Sequence, residues 1–255
     1  MAEFSRDEYT INGVKSVVLS GGEGEPLVFL HGGGTFHGWE FAKPWMEKFR
    51  VIIPFHPGFG ESGDDESINQ MQDYVMHYLD LFDALGLDKF NLVGFSLGGW
   101  MASKFATQHS HRIKKLVLVA PAGLKVPEAP STDLFTVPGE ELPGMLVHDF
   151  EVIKPHLPAE PDVDFIVGGY REMTSVARLL WDRSHDSKLP KWLHRINVPT
   201  LLVWGDEDRI IPVGQAPAWQ KLISGADVKR YPAAGHLVLD EKRQAVDDVA
   251  AFLAG

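Results

Sequence analysis

The feature of this chain that most constrains its fold is an alternation of short apolar runs with longer segments of helical periodicity. The apolar runs, which end near glycine, proline or histidine, cover residues 27–30, 51–55, 90–93, 116–120 and 200–204. A continuous apolar run is typical of a strand buried on both faces, as in a parallel sheet. Residues 71–85 instead repeat apolar side chains at helical spacing, and Gly86 follows as a helix stop. The alternation predicts an α/β fold with right-handed crossovers, and Asn12-Gly13 predicts an antiparallel hairpin at the sheet edge.

The alternation stops in the middle of the chain. From residue 124 to residue 190 the sequence is rich in proline and has no strand-like run. Its aromatic side chains argue against a disordered loop, since such residues normally pack on a surface. Helical patterns within this segment cover residues 141–154 and 163–182. We therefore divide the chain into a first core segment, a helical cap insertion and a second core segment, over residues 1–123, 124–190 and 191–255.

Composition excludes several classes of protein. Of 255 residues, 44% are apolar and 23% are charged, which gives enough apolar surface for a sizeable core and excludes a disordered chain. No cysteine is present, so a disulfide scaffold is excluded as well. The formal net charge of −11 disfavours nucleic acid and anionic membranes as partners. Because residues 1–10 do not resemble a signal peptide and no apolar run is long enough to span a membrane, we expect a cytoplasmic protein. The expected partner is a small-molecule substrate.

The sharpest local signal is the sequence Gly-Phe-Ser-Leu-Gly at residues 94–98. It stands between a strand-like run and a helix-like run, which is the context that a nucleophile elbow requires. In such a turn Ser96 is expected in strained backbone geometry with its hydroxyl exposed, and the two glycines avoid clashes with neighbouring backbone. The residues therefore predict Ser96 as a nucleophile.

A second glycine-rich segment follows the first predicted buried strand. Residues 31–34 read His-Gly-Gly-Gly, and glycines there leave backbone N–H groups available to a tetrahedral oxyanion. We assign the two oxyanion donors to the N–H groups of Gly33 and Leu97, with Gly34 as the alternative to Gly33. His31 is interpreted as a structural histidine that supports this loop.

A serine nucleophile needs a base and an acid that orients the base. His236 follows a strand-like run and precedes the C-terminal helix, so we choose it from the eleven histidines. Asp208 follows the run at 200–204 and is the predicted acid, with Asp206 as the alternative. The order Ser96, Asp208, His236 is the order found in α/β-hydrolases. No set of residues has a recognisable metal-ligand spacing, so no metal site is predicted.

Five segments together carry a family resemblance: residues 31–34, 56–62 (His-Pro-Gly-Phe-Gly-Glu-Ser), 94–99, 204–212 and 235–236. The chain resembles the α/β-hydrolase superfamily, specifically its cap-bearing, single-domain bacterial members, over residues 8–254. This resemblance implies a mostly parallel eight-stranded sheet flanked by helices, an inserted helical cap, a Ser–His–Asp triad and no cofactor.

The resemblance also separates branches of the superfamily. Ser96 is unlike the aspartate nucleophile of haloalkane dehalogenases and epoxide hydrolases. Meta-cleavage product hydrolases, which cut carbon–carbon bonds, are similar in the glycine-rich loop and in the doubled glycine at 98–99. They usually continue the loop with Pro-Gly and place tryptophan after the catalytic histidine, whereas this chain has Thr35-Phe36 and Leu237.

Our leading expectation is a serine hydrolase that cleaves a small, largely apolar carboxylic ester through an acyl-enzyme. Carbon–carbon hydrolysis of the meta-cleavage type is the first alternative, and thioester, lactone or amide cleavage and a receptor-like ligand-binding role are the others. Six apolar residues are candidates for contact with the substrate: Trp100, Phe135, Phe150, Tyr170, Trp181 and Leu237.

Overall fold

The computed structural model of the protein describes residues 3–160, 162–182 and 184–255. Eight strands in these ranges form one sheet in the order β1-β2-β4-β3-β5-β6-β7-β8. The strands are β1 (Ser5–Ile11), β2 (Val14–Gly21), β3 (Glu25–Leu30), β4 (Phe49–Pro54), β5 (Phe90–Phe95), β6 (Ile113–Val119), β7 (Thr200–Gly205) and β8 (Asp227–Tyr231). The expected eight-stranded, mostly parallel sheet is confirmed.

The sheet is antiparallel only at its first edge. β1 and β2 form a hairpin, β2 pairs antiparallel with β4, and the strands from β4 to β8 are parallel. Asn12 and Gly13 both have positive φ, at 50° and 84°, which is the geometry of a type I′ hairpin turn. All residues of β5 and β7 are buried, because helices cover both faces of the central sheet.

The described α-helices flank the sheet or belong to the segment between β6 and β7. They are α1 (Met71–Ala84), α2 (Leu97–His109), α3 (Leu142–Leu146), α4 (Val163–Leu180), α5 (Ala216–Leu222), α6 (Val238–Glu241) and α7 (Arg243–Ala254). Helix α1 buries the apolar stripe that the sequence predicts, including Tyr74, Tyr78 and Phe82, and Gly86 beyond its end has φ 67°. None of the described helices is both long and apolar enough to cross a bilayer.

The segment between β6 and β7 contains α3, α4 and short 3₁₀ turns. Helix α4 matches the helical pattern at residues 163–182, and Asp162 caps its first turn by accepting the N–H groups of Asp164 and Phe165. The pattern at residues 141–154 forms α3 followed by a 3₁₀ turn at Phe150–Val152 rather than one continuous helix. Contacts of α4 with the loops after β3 and β4, described below, place it over the carboxyl end of the sheet.

Candidate active site

Ser96 occupies the turn between β5 and α2. Its φ of 54° and ψ of −115° lie in a region that residues with a side chain rarely adopt. The Ser96 N–H donates to the carbonyl of Val119 at 2.9 Å, and its carbonyl accepts the N–H of Ala122 at 2.9 Å. These bonds to the end of β6 and to the segment after it hold the turn in its strained conformation.

The two glycines of this turn are required by close backbone approach. A Cβ atom on Gly94 would lie 2.5 Å from the carbonyl oxygen of Gly98. A Cβ atom on Gly98 would overlap the carbonyl oxygens of Leu30 and His31, where α2 starts beside the end of β3. The same glycines that permit the turn therefore bring it against the loop after β3.

Ser96, His236 and Asp208 lie in one hydrogen-bonded row. The Ser96 Oγ atom is 2.9 Å from His236 Nε2, and His236 Nδ1 is 2.7 Å from Asp208 Oδ2. His236 lies in the loop between β8 and α6 and is 3% exposed, so its ring is held in a largely dry environment. Three loops that are distant in sequence thus meet at the carboxyl end of the sheet, where sites of α/β proteins form.

The Asp208 carboxylate is fixed by backbone as well as by His236. Its Oδ1 atom accepts the N–H groups of Ile210 at 2.9 Å and Ile211 at 2.8 Å. The alternative acid, Asp206, instead pairs with Arg230 at 2.8 Å. The structure brings Asp208, and not Asp206, to the histidine.

The loop after β3 lies against the nucleophile. A Cβ atom on Gly32 would be 3.4 Å from the Ser96 Cβ atom. The Gly33 N–H donates no hydrogen bond to any residue in the described part of the chain. Leu97 is the first residue of α2, where backbone N–H groups have no acceptor within the helix. Both groups are therefore suited to bind an oxyanion, and their assignment to that role stays a prediction.

Two stacked histidines support this loop from below. The rings of His31 and His56 lie 3.6 Å apart, both fully buried, and burial lowers the pKa of His56 to about 3 and the pKa of His31 well below its ordinary value. Both rings are therefore neutral. His31 Nδ1 donates to the Gly32 carbonyl at 2.7 Å, and His31 Nε2 accepts the His56 N–H at 3.0 Å. His56 in turn accepts from the Tyr78 hydroxyl of α1, so the pair links the glycine loop to the helix layer.

Two of the six candidate substrate contacts are buried, and they follow Ser96 by four residues and His236 by one residue in sequence. Trp100 is 4% exposed and packs on Gly123, where an added Cβ would lie 2.8 Å from its ring. Leu237 is 3% exposed and lines a small apolar cavity together with Phe95, whose ring is 4.8 Å from the His236 ring. The Phe95 ring thus packs beside His236, whereas the cavity itself is lined by neither Ser96 nor His236.

The other four candidates lie between β6 and β7; three of them are exposed, and Phe135 is partly buried. Tyr170 and Trp181 are 73% exposed, and Phe150 is 44% exposed. The Phe135 ring packs on the Trp181 ring at 5.4 Å. These side chains do not converge on Ser96 in this conformation, and their contact with a substrate stays a prediction.

The arrangement is suited to nucleophilic attack by a serine, with proton transfer to a fixed imidazole and free N–H groups beside the reacting oxygen. Across the described ranges, no three His, Asp or Glu side chains converge as ligands of a metal ion would.

Sequence reasoning did not single out Glu172, whose carboxylate reaches Thr35 of the glycine loop. A glutamate on an amphipathic helix carries no local pattern that would mark it.

Comparison with known proteins extends these observations to the whole chain. Residues 27–252 match the model of a family described as the alpha/beta hydrolase family. A 2-hydroxy-6-oxo-2,4-heptadienoate hydrolase of Pseudomonas putida is 26% identical, over 95% of this chain and 94% of the relative. Lipase 1 of Psychrobacter immobilis is 28% identical, over 93% of this chain and 81% of the relative.

A solved structure gives a similar result. The 2-hydroxy-6-oxo-6-phenylhexa-2,4-dienoate hydrolase of Rhodococcus sp. strain RHA1 superposes with a TM-score of 0.82 and 21% identity, over 100% of both chains. At this identity the likeness concerns the fold. The strands and their order are therefore shared with a solved hydrolase across the full length.

Proposed function

Because the chain belongs to the α/β-hydrolase family, we propose that it is a serine hydrolase whose nucleophile is Ser96 and whose reaction passes through an acyl-enzyme. The observation that carries the proposal is the row of hydrogen bonds from Ser96 through His236 to Asp208, at 2.9 and 2.7 Å. A serine hydroxyl is a weak nucleophile at neutral pH, and this row supplies both a base and the acid that orients it.

The proposed mechanism follows from these positions. Ser96 Oγ attacks the substrate carbonyl carbon while His236 Nε2 takes the hydroxyl proton, and the carbonyl oxygen becomes an oxyanion near the N–H groups of Gly33 and Leu97. His236 then gives the proton to the leaving group, whose bond to the carbonyl carbon breaks. Water hydrolyses the acyl-enzyme with His236 as base. Asp208 keeps the Nδ1 proton on His236 and stabilises the imidazolium.

The relatives favour carbon–carbon hydrolysis as the bond class, ahead of the ester hydrolysis that the sequence analysis placed first. One relative that matches nearly the whole chain is named for a 2-hydroxy-6-oxo-dienoate substrate. In such a substrate the bond that breaks joins the carbonyl carbon to a carbon leaving group, and the leaving carbon takes the proton from His236. The same nucleophile and oxyanion donors serve this reaction.

Ester hydrolysis is the second candidate, and the residues around Ser96 favour it. Phe95 and Leu237, which flank the serine and the histidine in sequence, have buried apolar side chains, and the Phe95 ring lies 4.8 Å from the His236 ring. They offer no hydrogen bond to a carboxylate or an enol. A lipase is also among the relatives that match most of the chain. These observations support an apolar acyl group.

The test compares two substrates on the same three proteins: wild type, Ser96→Ala and Ser110→Ala. Ser110 lies just beyond the other end of α2 and serves as the matched control. A 2-hydroxy-6-oxo-dienoate and p-nitrophenyl butyrate represent the two bond classes. We expect Ser96→Ala to lose turnover by about 10⁴-fold or more, and Ser110→Ala to retain it.

The substrate with the higher kcat/KM assigns the bond class. Equal turnover by wild type and Ser96→Ala would overturn the proposal. Tight ligand binding by the wild type without turnover of either substrate would also overturn it, in favour of a receptor-like role.

A further inference from the structure

The second half of helix α4 is joined to core loops by polar contacts. The Arg171 guanidinium donates to the Gly60 carbonyl at 3.2 Å, in the loop after β4. About two helical turns further on, Arg178 forms an ion pair with Asp64 at 2.5 Å. The helix is therefore docked on the loop after β4 at more than one point.

One of these points is a single carboxylate that holds two loops together. Glu172 Oε2 accepts the Thr35 N–H at 3.1 Å, and Oε1 accepts the Thr35 hydroxyl at 2.5 Å and the Gly60 N–H at 2.9 Å. In the described part of the chain Glu172 forms no ion pair with a Lys or Arg side chain. Its partly buried charge is met by hydrogen-bond donors of the two loops.

The same helix contacts the predicted oxyanion donor directly. A Cβ atom on Gly33 would lie 3.3 Å from the Val176 Cγ2 atom, one helical turn beyond Glu172. The loop from residue 32 to residue 34 consists of glycine only, so its own backbone restricts it little. Contacts from outside the loop must therefore fix the direction of the Gly33 N–H.

We propose that Glu172 is a positioning residue for the oxyanion loop. Its carboxylate holds Thr35, two residues beyond Gly33, and so aligns the Gly33 N–H with the oxyanion. Oxyanion donors act through preorganisation, and a misplacement of about 1 Å costs about 100-fold in rate. The inference rests on the proposed serine hydrolase function.

Three substitutions vary these contacts in steps. Glu172→Ala removes all three acceptor bonds, and we expect kcat to fall by about 10- to 100-fold with KM changed less than about threefold. Glu172→Gln keeps one acceptor oxygen but places its amide N–H against a backbone N–H, so the fall in kcat should be smaller than in Glu172→Ala. Thr35→Val removes only the hydrogen bond of the Thr35 hydroxyl and should give the smallest fall in kcat of the three variants.

A transition-state mimic separates positioning from general loosening of the structure. With a trifluoromethyl ketone, Ser96 Oγ adds to the carbonyl carbon, its proton passes to His236, and the ketone oxygen becomes an oxyanion that needs the same donors. Affinity for this inhibitor, measured by ¹⁹F NMR, should fall in Glu172→Ala by the same factor as kcat/KM. Asp64→Asn is the control, because it removes the charge from another docking contact of α4, away from Thr35, and should leave the affinity unchanged.

The outcomes separate the inference from the proposed function. Full ketone affinity in Ser96→Ala would overturn the proposed function, and the inference with it. Loss of affinity in Ser96→Ala combined with full affinity in Glu172→Ala would overturn the inference alone. Equal losses in Glu172→Ala and Asp64→Asn would also overturn it, since loosening of α4 would then suffice. If Glu172→Ala does not fold, Glu172→Gln and Thr35→Val carry the same test.

Discussion

Asp208 shows how much of the site is held by hydrogen bonds to one residue. One carboxylate oxygen faces His236 Nδ1, and the other accepts the N–H groups of Ile210 and Ile211. Because the backbone bonds fix the side chain, replacement by asparagine should keep the fold. An asparagine amide that faces His236 with its N–H favours the wrong histidine tautomer.

Asp208→Asn should therefore lower kcat by about 10³- to 10⁴-fold while far-ultraviolet circular dichroism stays unchanged. The measurement is steady-state turnover of whichever substrate the wild type accepts. Asp206→Asn, which alters a carboxylate that pairs with Arg230 instead, should retain nearly full activity. Similar losses in the two variants would contradict the assignment of the acid.

Ser96 carries a second prediction, because its backbone strain is independent of its chemistry. A φ of 54° with a ψ of −115° is costly for a residue with a Cβ atom and readily adopted by glycine. Ser96→Gly should unfold with a free energy about 1 kcal/mol higher than Ser96→Ala in urea titrations. Both variants lack the hydroxyl, so only the backbone differs. An alanine variant as stable as the glycine variant would refute strain at this turn.

The residue scale also shows where sequence reasoning succeeds and where it stops. Ser96, Asp208 and His236 could be selected because each follows a strand-like run, and strand ends converge in a parallel sheet. Glu172 and the pair His31–His56 act through contacts across the fold, which no local pattern encodes. The prediction for the aromatic residues between β6 and β7, such as Trp181, rests on residue type alone, and residue type does not determine which way a side chain points.

At the scale of elements, the two halves of α4 differ in their exposure to solvent. Val163 and Val167 in the first half are 72% and 59% exposed, whereas Ser175 and Val176 near the other end are buried. Gly168 and Gly169 stand between the halves, and a Cβ atom at either position would meet nothing within 4 Å. The sequence pattern predicted the existence of this helix, but its uneven docking follows from tertiary contacts.

Gly169→Ala should raise the free energy of unfolding by about 0.5–1 kcal/mol, because alanine loses less backbone entropy in a helix and finds open space here. Gly86→Ala is the matched control. Its Cβ atom would also meet nothing, but the residue has φ 67°, so the same substitution should destabilise the protein. The measurement is urea unfolding of both variants, and a stabilised Gly86→Ala variant would contradict the argument.

For the whole molecule, the alternation of strand-like and helical segments was sufficient to predict the sheet. Apolar runs at residues 90–93 and 200–204 became the fully buried strands β5 and β7, since the pattern and the burial have the same cause. The pattern gave no information on polar groups buried within the layers. Three histidines illustrate this, because His31, His56 and His77 are each 5% exposed or less.

These buried histidines predict how the stability of the whole molecule depends on pH. Burial lowers the pKa of His56 to about 3 and of His77 to about 4, from an unfolded value near 6.5. The unfolded chain therefore binds protons first as the pH falls, and stability is lost from about pH 6.5 downward until the folded pKa is reached. At pH 5 each such histidine destabilises the native state by about 2 kcal/mol relative to pH 7.5.

His77→Gln isolates this effect in one side chain. His77 contacts the Ser16 hydroxyl at 3.0 Å, and glutamine can keep a hydrogen bond there without taking up a proton. Between pH 7.5 and pH 5 the variant should lose about 2 kcal/mol less stability than the wild type in urea titrations. His111→Gln makes the same substitution at an exposed position and serves as the control for the change of residue type. If His77→Gln matched the wild type, proton uptake by His77 on unfolding would be excluded as a cause of acid destabilisation.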